Sequence, residues 1–547
     1  MSTLESAPAR GTTHEVANQP PPLENYNTFE TDRVLVEALR REGGEWAADH
    51  VREIGAAAGR AETARWAFEA NDNPPRLRTH DRYGNRIDEV DFHPAWHELM
   101  RVAVGHGIHC LPWEEDRAAA HVARAALMFL DAQCEQGHGC PISMTYSAVP
   151  ALRRQPELFE EWQPRIATRT YDARFAPAAQ KSGALVGMAM TEKQGGSDLR
   201  ANTTRALRDG QAWRLTGHKW FCSAPMSDAF LVVAQAPRGL SCFLLPRWTP
   251  DGARNRFFLQ RLKDKLGNRS NASSEVEFDG AWAQLVGEEG RGVPTILEMV
   301  NHTRLDCTIG SAATLRQAVW QAAHHCAHRS AFGKRLADQP LMRNVLADLC
   351  IEAEAALLLT FRLARAYDRP EESAFRRIAT AVVKYWVCKR AEVGVTEALE
   401  CLGGNGYVED SGLPRLYREA PLNSIWEGSG NVICLDVLRA LAKEPAAMEA
   451  LLDELRKARG TDKRLDAHVD ATEALLGHVE EAQARRLVES LALALAGALL
   501  VQHAPRALAD AFCASRLGGD WGRTLGTLPR GVDLAALVER AQPANAT

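Results

Sequence analysis

The feature that most constrains the fold is a set of three long helical patterns in the second half of the chain. At residues 300–330, 341–367 and 373–402, Ala, Leu and Val recur with i, i+3 and i+4 spacing. Helices of this length with an apolar stripe usually pack against one another, because a neighbouring helix covers the stripe. We therefore predict a helical bundle in this part of the chain.

A different pattern precedes the bundle. Short apolar runs of strand length recur, and Asp209-Gly210, a strong hairpin turn signal, separates two of them at residues 203–207 and 213–215. The predicted fold class is therefore mainly α with a central antiparallel β domain. The predicted division is an N-terminal arm and helical domain (1–184), a middle β domain (185–292), a helical bundle (293–444) and a C-terminal helical domain (445–547).

Composition favours a reduced, cytosolic protein. The 547 residues contain 65 Lys plus Arg and 70 Asp plus Glu, a formal net charge of -5, which predicts no polyanionic partner by itself. The 12 cysteines contain no Cys-x-x-Cys pair and lie among apolar residues. The N-terminus lacks an apolar signal-peptide run, and the most apolar stretch, residues 491–501, is shorter than the roughly 20 residues that a membrane helix needs. We predict a cytoplasmic location and no membrane partner.

The segment at residues 190–198, MTEKQGGSD, directly follows a predicted strand. Its two glycines let backbone N–H groups come close to a ligand, and Thr191 and Ser197 add hydroxyl groups. Such a loop suits a phosphate or the polar edge of a planar ring. An ordinary polar turn is the alternative, and a bare Gly-Gly-Ser loop would favour it.

The full nine-residue string resembles the MTEPxxGSD loop of the acyl-CoA dehydrogenase family, with Lys193 in place of the usual proline. In that family the loop holds FAD between a barrel-like β domain and the helices. The resemblance therefore implies an FAD-dependent oxidoreductase. The cofactor contacts that it implies in this loop are Met190, Thr191, Glu192, Gly195, Gly196 and Ser197.

Residues 219–223, KWFCS, resemble the K-x-W-I-T-N strand of the same family. The resemblance implies that Trp220 covers the flavin ring, a role that suits a large flat π-surface. It also implies that Phe221, Cys222 and Ser223 touch the edge of the ring, with Cys222 near flavin N5, where a thiol is a weaker donor than a hydroxyl. The alternative is that Trp220 is a plain core tryptophan.

Two further motifs resemble family segments that approach the cofactor from elsewhere. The string RSAFG at residues 329–333, followed by Gln339, implies that Arg329 and Gln339 reach the FAD of a neighbouring subunit, and Phe332 is a further implied cofactor contact. The glycine run that includes Gly403 and Gly404 implies contacts near the diphosphate or adenine end of FAD. A solvated surface arginine and a glycine helix stop are the alternatives.

The string IWEGSGN at residues 425–431 matches the Y-E-G-T segment of the family. The match implies that Glu427 is the catalytic base, which removes the α-proton of an acyl thioester while a hydride leaves the β-carbon for flavin N5. Burial beside the flavin would raise the pKa of such a base. Alternatively, Glu427 is only a carboxylate at a helix N-terminus. Trp426 is larger than the usual Tyr and is expected to crowd the acyl pocket; the other implied cofactor contacts here are Gly428, Ser429 and Asn431.

Strings outside these motifs, such as DFHPAWH at residues 91–97 and KDKLGNRSN at residues 263–271, are similar to the AidB branch of the family. That branch belongs to the bacterial adaptive response to DNA alkylation. The similarity implies a homotetramer built as a dimer of dimers, weak dehydrogenase activity on branched short acyl-CoA such as isovaleryl-CoA, and association with double-stranded DNA. The alternatives are an ordinary metabolic acyl-CoA dehydrogenase with no DNA role and a flavin-bound scaffold with neither activity.

The charge of the C-terminal region bears on the DNA hypothesis. Residues 441–547 contain 13 Lys plus Arg against 15 Asp plus Glu, whereas DNA affinity depends largely on neutralising phosphates. A local basic face and a set of helix charges paired with nearby acids both remain open. The candidate DNA contacts are Arg439, Arg456, Lys457, Arg459, Lys463 and Arg464.

Two clusters of His and Cys raise the question of a metal. His324 and His328 share a helical face, and Cys134, His138 and Cys140 lie between predicted helices. Each cluster lacks the further ligands that a structural zinc site usually has. We therefore predict no metal site.

Overall fold

A computed structural model describes residues 14–477 and 479–544. Its N-terminal part is helical apart from one two-stranded ribbon. The elements are α1 (Arg33–Arg41), α2 (Ala48–Ala58), α3 (Ala61–Asp72), β1 (Arg76–His80), β2 (Arg86–Asp91), α4 (Pro94–Gly105), α5 (Leu111–Glu114), α6 (Ala120–Cys134), α7 (Gly139–Leu152) and α8 (Pro156–Ile166). All residues of α6 except Cys134 are buried. Ala119 offers no side-chain cap to α6, and Asp368 accepts hydrogen bonds from the backbone N–H groups of His121 and Val122 instead (2.8 and 3.1 Å).

Seven strands form the central sheet. They are β3 (Val186–Ala189), β4 (Arg205–Asp209), β5 (Ala212–Ser223), β6 (Ala229–Ala236), β7 (Gly239–Pro246), β8 (Phe257–Leu262) and β9 (Ser273–Val286). The strand order is β3-β6-β4-β5-β9-β7, with a further pairing of β6 and β7 that closes a ring and with β8 paired to β9. The barrel-like character of this region follows from that closure.

The predicted hairpin at Asp209-Gly210 is confirmed, since Asp209 pairs with Ala212 and Gly210 has a φ of 64°. The predicted antiparallel character holds for most of the sheet, and two strands depart from it. β3 and β4 both run parallel to β6, while the other pairs in the sheet are antiparallel. Neither β3 nor β4 is joined to β6 by a tight turn, so no hairpin imposes the antiparallel direction.

The second half of the chain confirms the predicted long helices. They are α9 (Gly292–His328), α10 (Pro340–Asp368) and α11 (Ser373–Cys401), which pack against one another. A short ribbon, β10 (Ser330–Ala331) and β11 (Lys334–Arg335), joins α9 to α10. The remaining helices are α12 (Leu413–Glu419), α13 (Gly430–Lys443), α14 (Pro445–Arg456), α15 (Lys463–Leu476), α16 (Ala484–His503), α17 (Arg506–Phe512) and α18 (Leu534–Ala541).

The C-terminal helices share one hydrophobic core with the N-terminal helices and the bundle. The apolar stretch at residues 491–501 forms the buried part of α16. Arg540 of α18 donates to Glu354 of α10 and to Glu37 of α1, which ties the C-terminal helix to both. The predicted domain boundaries therefore stay predictions. Within residues 14–477 and 479–544, no helix has the length and apolarity to cross a membrane.

The described part of the N-terminal arm lies on the end of α9. The backbone oxygen of Pro21 lies 2.8 Å from Nε2 of His324. Asn18 exchanges hydrogen bonds with Ser330, and its backbone oxygen accepts from Arg329. Part of the predicted arm, residues 1–13, lies outside the described residues.

Candidate functional site

A cavity of about 1260 Å³ opens between the sheet, the helices α7 and α9, and the segment before α13. It is bounded by the loop after β3, by the end of β5 and by one face of α9. Of the residues proposed from the sequence, those that line it are Met190, Thr191, Gly196, Ser197, Phe221, Ser223, Trp426, Glu427, Gly428, Ser429 and Arg439. Segments far apart in sequence thus meet at one place, as the motifs predict.

The loop at residues 190–198 is built around the side chain of Glu192. This fully buried carboxylate accepts hydrogen bonds from Nζ of Lys219 (2.8 Å), from the backbone of Thr203 (2.7 Å) and Thr204 (3.1 Å), and from Gln194 (2.8 Å). Burial by itself raises the pKa of Glu192, but Lys219 and these donors outweigh it and hold the pKa far below its usual range.

The cofactor contact expected at Glu192 is therefore corrected. All of the hydrogen bonds described for its carboxylate are to other groups of the protein, and the residue does not line the cavity. At Gly196, an added Cβ would lie 2.3 Å from the hydroxyl of Thr191, so only glycine lets the chain pass this hydroxyl. Gly195 has a φ of 144° and also lies outside the cavity wall.

The end of β5 corrects a second expectation. Side chains alternate along a strand, and the structure places Phe221 and Ser223 on the cavity side. Cys222 is fully buried in the sheet core, and Trp220 lies beneath Lys263, whose ammonium is 3.1 Å from the ring centroid. The aromatic residue that faces the cavity is Phe221, which is 50% exposed, rather than Trp220. The hydroxyl group at this end of β5 on the cavity side belongs to Ser223, whereas Cys222 lies in the sheet core.

Glu427 lines the cavity in a strained backbone conformation. Its φ of 60° is left-handed, and the next residue, Gly428, has a φ of 107°. Thr303 of α9 donates to Glu427 Oε2 at 2.7 Å. Because the carboxylate contacts α9 and lies before α13 begins, it does not act as an N-terminal cap of that helix.

The electrostatics of Glu427 suit a base. Burial raises its pKa, while the hydrogen bond from Thr303 and the charges of Arg304 and Lys384 act in the opposite direction, and the net pKa is raised. Arg304 also donates to the backbone oxygen of Glu427 at 2.9 Å. Sequence motifs did not identify these three neighbours. The sequence nonetheless marks Lys384 as unusual, since it is a charged residue within the apolar stretch ATAVVKYWV.

Trp426 also faces the cavity. Its indole Nε1 donates to Asn423 Oδ1 at 2.8 Å, which fixes the ring orientation. The crowding of an acyl chain by this ring stays a prediction.

Six further proposed cofactor contacts do not line the cavity. They are Arg329, Phe332, Gln339, Gly403, Gly404 and Asn431. Phe332 is 99% exposed. Gln339 donates a hydrogen bond to the backbone oxygen of Ala331, which lies in the ribbon that joins α9 to α10. Asn431 accepts from Arg485 at 2.8 Å. A contact from Arg329 and Gln339 to the FAD of a neighbouring subunit stays a prediction, as does the cofactor contact of Phe332.

Five of the six proposed DNA contacts form ion pairs with acidic residues, and no ion pair is found for Lys463 among the described residues. Arg439 pairs with Asp436 (3.5 Å) and lines the cavity. Lys457 pairs with Glu454 (2.6 Å) and Arg459 with Asp470 (2.8 Å). Arg456 pairs with two acids of its own helix, and Arg464 pairs with Asp462 and Asp510. The geometry thus favours paired helix charges at these positions over an open basic face.

The described residues contain no group of three or more His, Cys, Asp or Glu that could hold a metal. His138 lies instead between two carboxylates, 2.8 Å from Glu135 and 3.0 Å from Asp131. Burial acts to lower the pKa of His138, but the two carboxylates raise it to about 10. His138 is therefore a buried cation.

Models of three protein-family domains match the chain in the order of the fold. They are the adaptive response protein AidB N-terminal domain (residues 18–173), the acyl-CoA dehydrogenase middle domain (residues 187–281) and the acyl-CoA dehydrogenase C-terminal domain (residues 290–442). A crystal structure of Caenorhabditis elegans ACDH-11 in complex with C11-CoA matches with a TM-score of 0.83 at 28% identity, covering 94% of this chain and 95% of that one. The chain belongs to the acyl-CoA dehydrogenase family, whose members are FAD flavoproteins.

Within that family the chain belongs to the AidB branch. It is 48% identical over 508 residues to the putative acyl-CoA dehydrogenase AidB of Escherichia coli (strain K12), covering 92% of this chain and 94% of that protein. It is 31% identical over 472 residues to acyl-CoA dehydrogenase family member 11 of Caenorhabditis elegans, covering 79% and 76% of the two chains.

Proposed function

We propose that this protein is an FAD-dependent acyl-CoA dehydrogenase in which Glu427 is the base. The observation that carries the proposal is the Glu427 carboxylate, which faces the cavity, is oriented by Thr303 and has a raised pKa. A carboxylate with these properties is suited to accept a carbon-bound proton near neutral pH.

The cavity residues fit a flavin. The lining includes the aromatic residue Phe221 and three residues with hydroxyl groups, Thr191, Ser197 and Ser223. FAD bound there would supply the acceptor for the hydride that leaves the β-carbon of the substrate. Glu427 takes the α-proton, and the electron pair of the broken α-C–H bond forms the Cα–Cβ double bond of a 2-enoyl thioester.

The direct test is anaerobic addition of isovaleryl-CoA to the FAD-loaded protein. We expect the visible flavin absorbance to bleach, and Glu427→Gln is expected to slow bleaching by about 10²–10⁴-fold, the range of a general base. Bleaching of Glu427→Gln at the wild-type rate would refute the assignment of the base. The absence of bleaching with isovaleryl-CoA and with linear acyl-CoAs up to C11 would refute the proposed activity.

The proposed substrate class is branched short acyl-CoA, as implied by the AidB resemblance and by the indole of Trp426 in the cavity wall. We further propose a homotetramer. The exposed apolar side chains of Phe332 (99%), Leu341 (84%) and Tyr407 (84%) support association with other subunits. A monomer by light scattering at micromolar concentration would contradict it.

Association with double-stranded DNA in the response to alkylation is a second candidate function. What favours it is the similarity to the AidB branch over 92% of the chain. A salt-titrated duplex binding assay tests it, because each phosphate contact makes the slope of log K against log salt more negative by about 0.9. Absence of binding at low salt would leave the metabolic dehydrogenase as the function.

A further inference from the structure

Lys384 of α11 is a buried lysine at the base of the Glu427 loop. Its side chain is 1% exposed, and its Nζ donates to the backbone oxygens of Trp426 (3.0 Å) and Gly428 (2.7 Å). No Asp or Glu among residues 14–477 and 479–544 lies within ion-pair distance of this ammonium. Buried ammonium groups without a carboxylate partner are rare, because their loss of hydration is not compensated by an opposite charge.

The two carbonyls that Lys384 binds flank the strained residue of the loop. Glu427 and Gly428 are consecutive residues with positive φ, which turns the oxygens of Trp426 and Gly428 towards α11. The intervening oxygen of Glu427 accepts from Arg304 on α9. Side chains of two different helices therefore hold three successive peptide groups, and a non-glycine residue keeps a left-handed conformation there.

The charge of Lys384 also reaches the carboxylate. The groups that act on the pKa of Glu427 come from several elements: Thr303, Arg304, Asp306 and Lys384. Burial raises the pKa of the neighbouring thiols Cys140 and Cys307, and Glu427 raises it further. Arg304 is partly neutralised by Asp436 at 2.9 Å. Lys384 forms no such ion pair among the described residues, so no closer carboxylate offsets the charge that it exerts on Glu427.

We propose that Lys384 is a positioning residue for the base, which fixes the direction of the Glu427 side chain through the carbonyls of Trp426 and Gly428. The proposal rests on the function proposed above and deepens it. It separates two roles on the loop: Thr303 binds the carboxylate, and Lys384 holds the peptide groups that carry it.

The test uses the FAD-loaded protein and three variants. Lys384→Met removes the donors and the charge, Lys384→Gln keeps a neutral donor, and Lys384→Arg keeps the charge. Lys181→Met is the matched control, because Lys181 is also a buried lysine, paired with Asp228 at 2.7 Å, and does not line the cavity. If Lys384→Met does not fold, Lys384→Gln serves as the neutral variant.

Two measurements are made as a function of pH. The first is exchange of the α-protons of isovaleryl-CoA in D₂O, which needs the base but no net oxidation. The second is titration of the Glu427 carboxyl by infrared difference spectroscopy against Glu427→Gln, which needs no substrate. For Lys384→Met we expect exchange at least about tenfold slower and an infrared midpoint at higher pH, because a positive charge beside the carboxylate is lost.

The outcomes are distinct. Lys384→Arg is expected to keep the wild-type midpoint, and Lys181→Met is expected to lose stability without a change in midpoint. An unchanged midpoint and exchange rate in the neutral variant, or the same shift in Lys181→Met, would overturn the positioning role. If the wild-type protein neither exchanges α-protons nor bleaches with any acyl-CoA, the proposed activity fails, and the infrared midpoints alone then decide whether Lys384 acts on Glu427.

Discussion

The ammonium nitrogen of Lys219 lies 2.8 Å from a carboxylate oxygen of Glu192, and neither side chain is exposed. The pair links β5 to the loop at residues 190–198, and Lys219 also donates to the backbone of Val233 on β6 at 2.8 Å. Two cavity-lining segments are thus joined behind the cavity wall. The Glu192 carboxylate, which the sequence suggested as a cofactor contact, serves instead to shape the loop that carries Thr191 and Ser197.

Glu192→Gln is expected to destabilise the protein by about 3–5 kcal/mol, because it leaves a buried ammonium without its partner. We also expect weaker retention of FAD, measured by equilibrium dialysis, since the loop loses its internal acceptor. Asp228→Asn is the control, because it breaks another buried ion pair, with Lys181, away from the cavity. Equal loss of FAD in both variants would mean that the Glu192 pair has no specific effect on the loop.

The buried cation His138 predicts a pH dependence of stability. Its folded pKa is about 10, above the unfolded value of 6.5, owing to Asp131 and Glu135. A base with a raised folded pKa contributes stability that is complete below the unfolded pKa and is lost as pH rises through the folded one. The melting temperature of the wild type is therefore expected to fall more steeply between pH 7 and about 10 than that of His138→Gln. Parallel curves from calorimetry would contradict the assignment.

Thr303→Val is expected to change the pH profile of flavin bleaching. The Thr303 hydroxyl stabilises the charged form of Glu427, so its removal raises the pKa of a group that burial has already raised. The midpoint of the bleaching rate is therefore expected to move to higher pH, with slower bleaching below it. Stopped-flow measurements across pH check this, and a midpoint that stays in place or falls would exclude the hydrogen bond as a determinant.

Phe221 and Trp220 offer a matched pair on one strand. Phe221→Ala is expected to weaken FAD retention and to change the visible flavin spectrum, because this ring faces the cavity. Trp220→Ala is expected to leave both unchanged, because Trp220 packs against Lys263 outside the cavity wall. The reverse result would restore the assignment made from the sequence.

The same pair of residues shows how far sequence could predict the site. The long helices follow from a local periodicity that extends over many residues, and α9, α10 and α11 form where the pattern predicts them. The motif at residues 219–223 correctly brings β5 to the cavity. It does not determine which side of the strand faces in, because a shift of one residue exchanges the two faces.

Lys384 and Arg304 show a different limit. Both contact the Glu427 loop from more than 40 positions earlier in the chain. Their role depends on how three segments pack around the loop, which no spacing between neighbouring residues encodes. A charged residue in an apolar helical stretch marks Lys384 as unusual, but only the fold shows that its partners are carbonyl groups.

Trp426 predicts the substrate range. Its indole faces the cavity and is held by Asn423 at 2.8 Å, so that a smaller side chain at this position would widen the space beside Glu427. Trp426→Phe is expected to raise kcat/KM for linear acyl-CoAs relative to isovaleryl-CoA. Each ~1.4 kcal/mol of added binding in the transition state corresponds to about a tenfold increase in this ratio. Steady-state assays over a chain-length series measure this ratio. Trp282→Phe, on β9 and outside the cavity wall, is the control, and a constant ratio in Trp426→Phe would show that the indole does not limit the acyl chain.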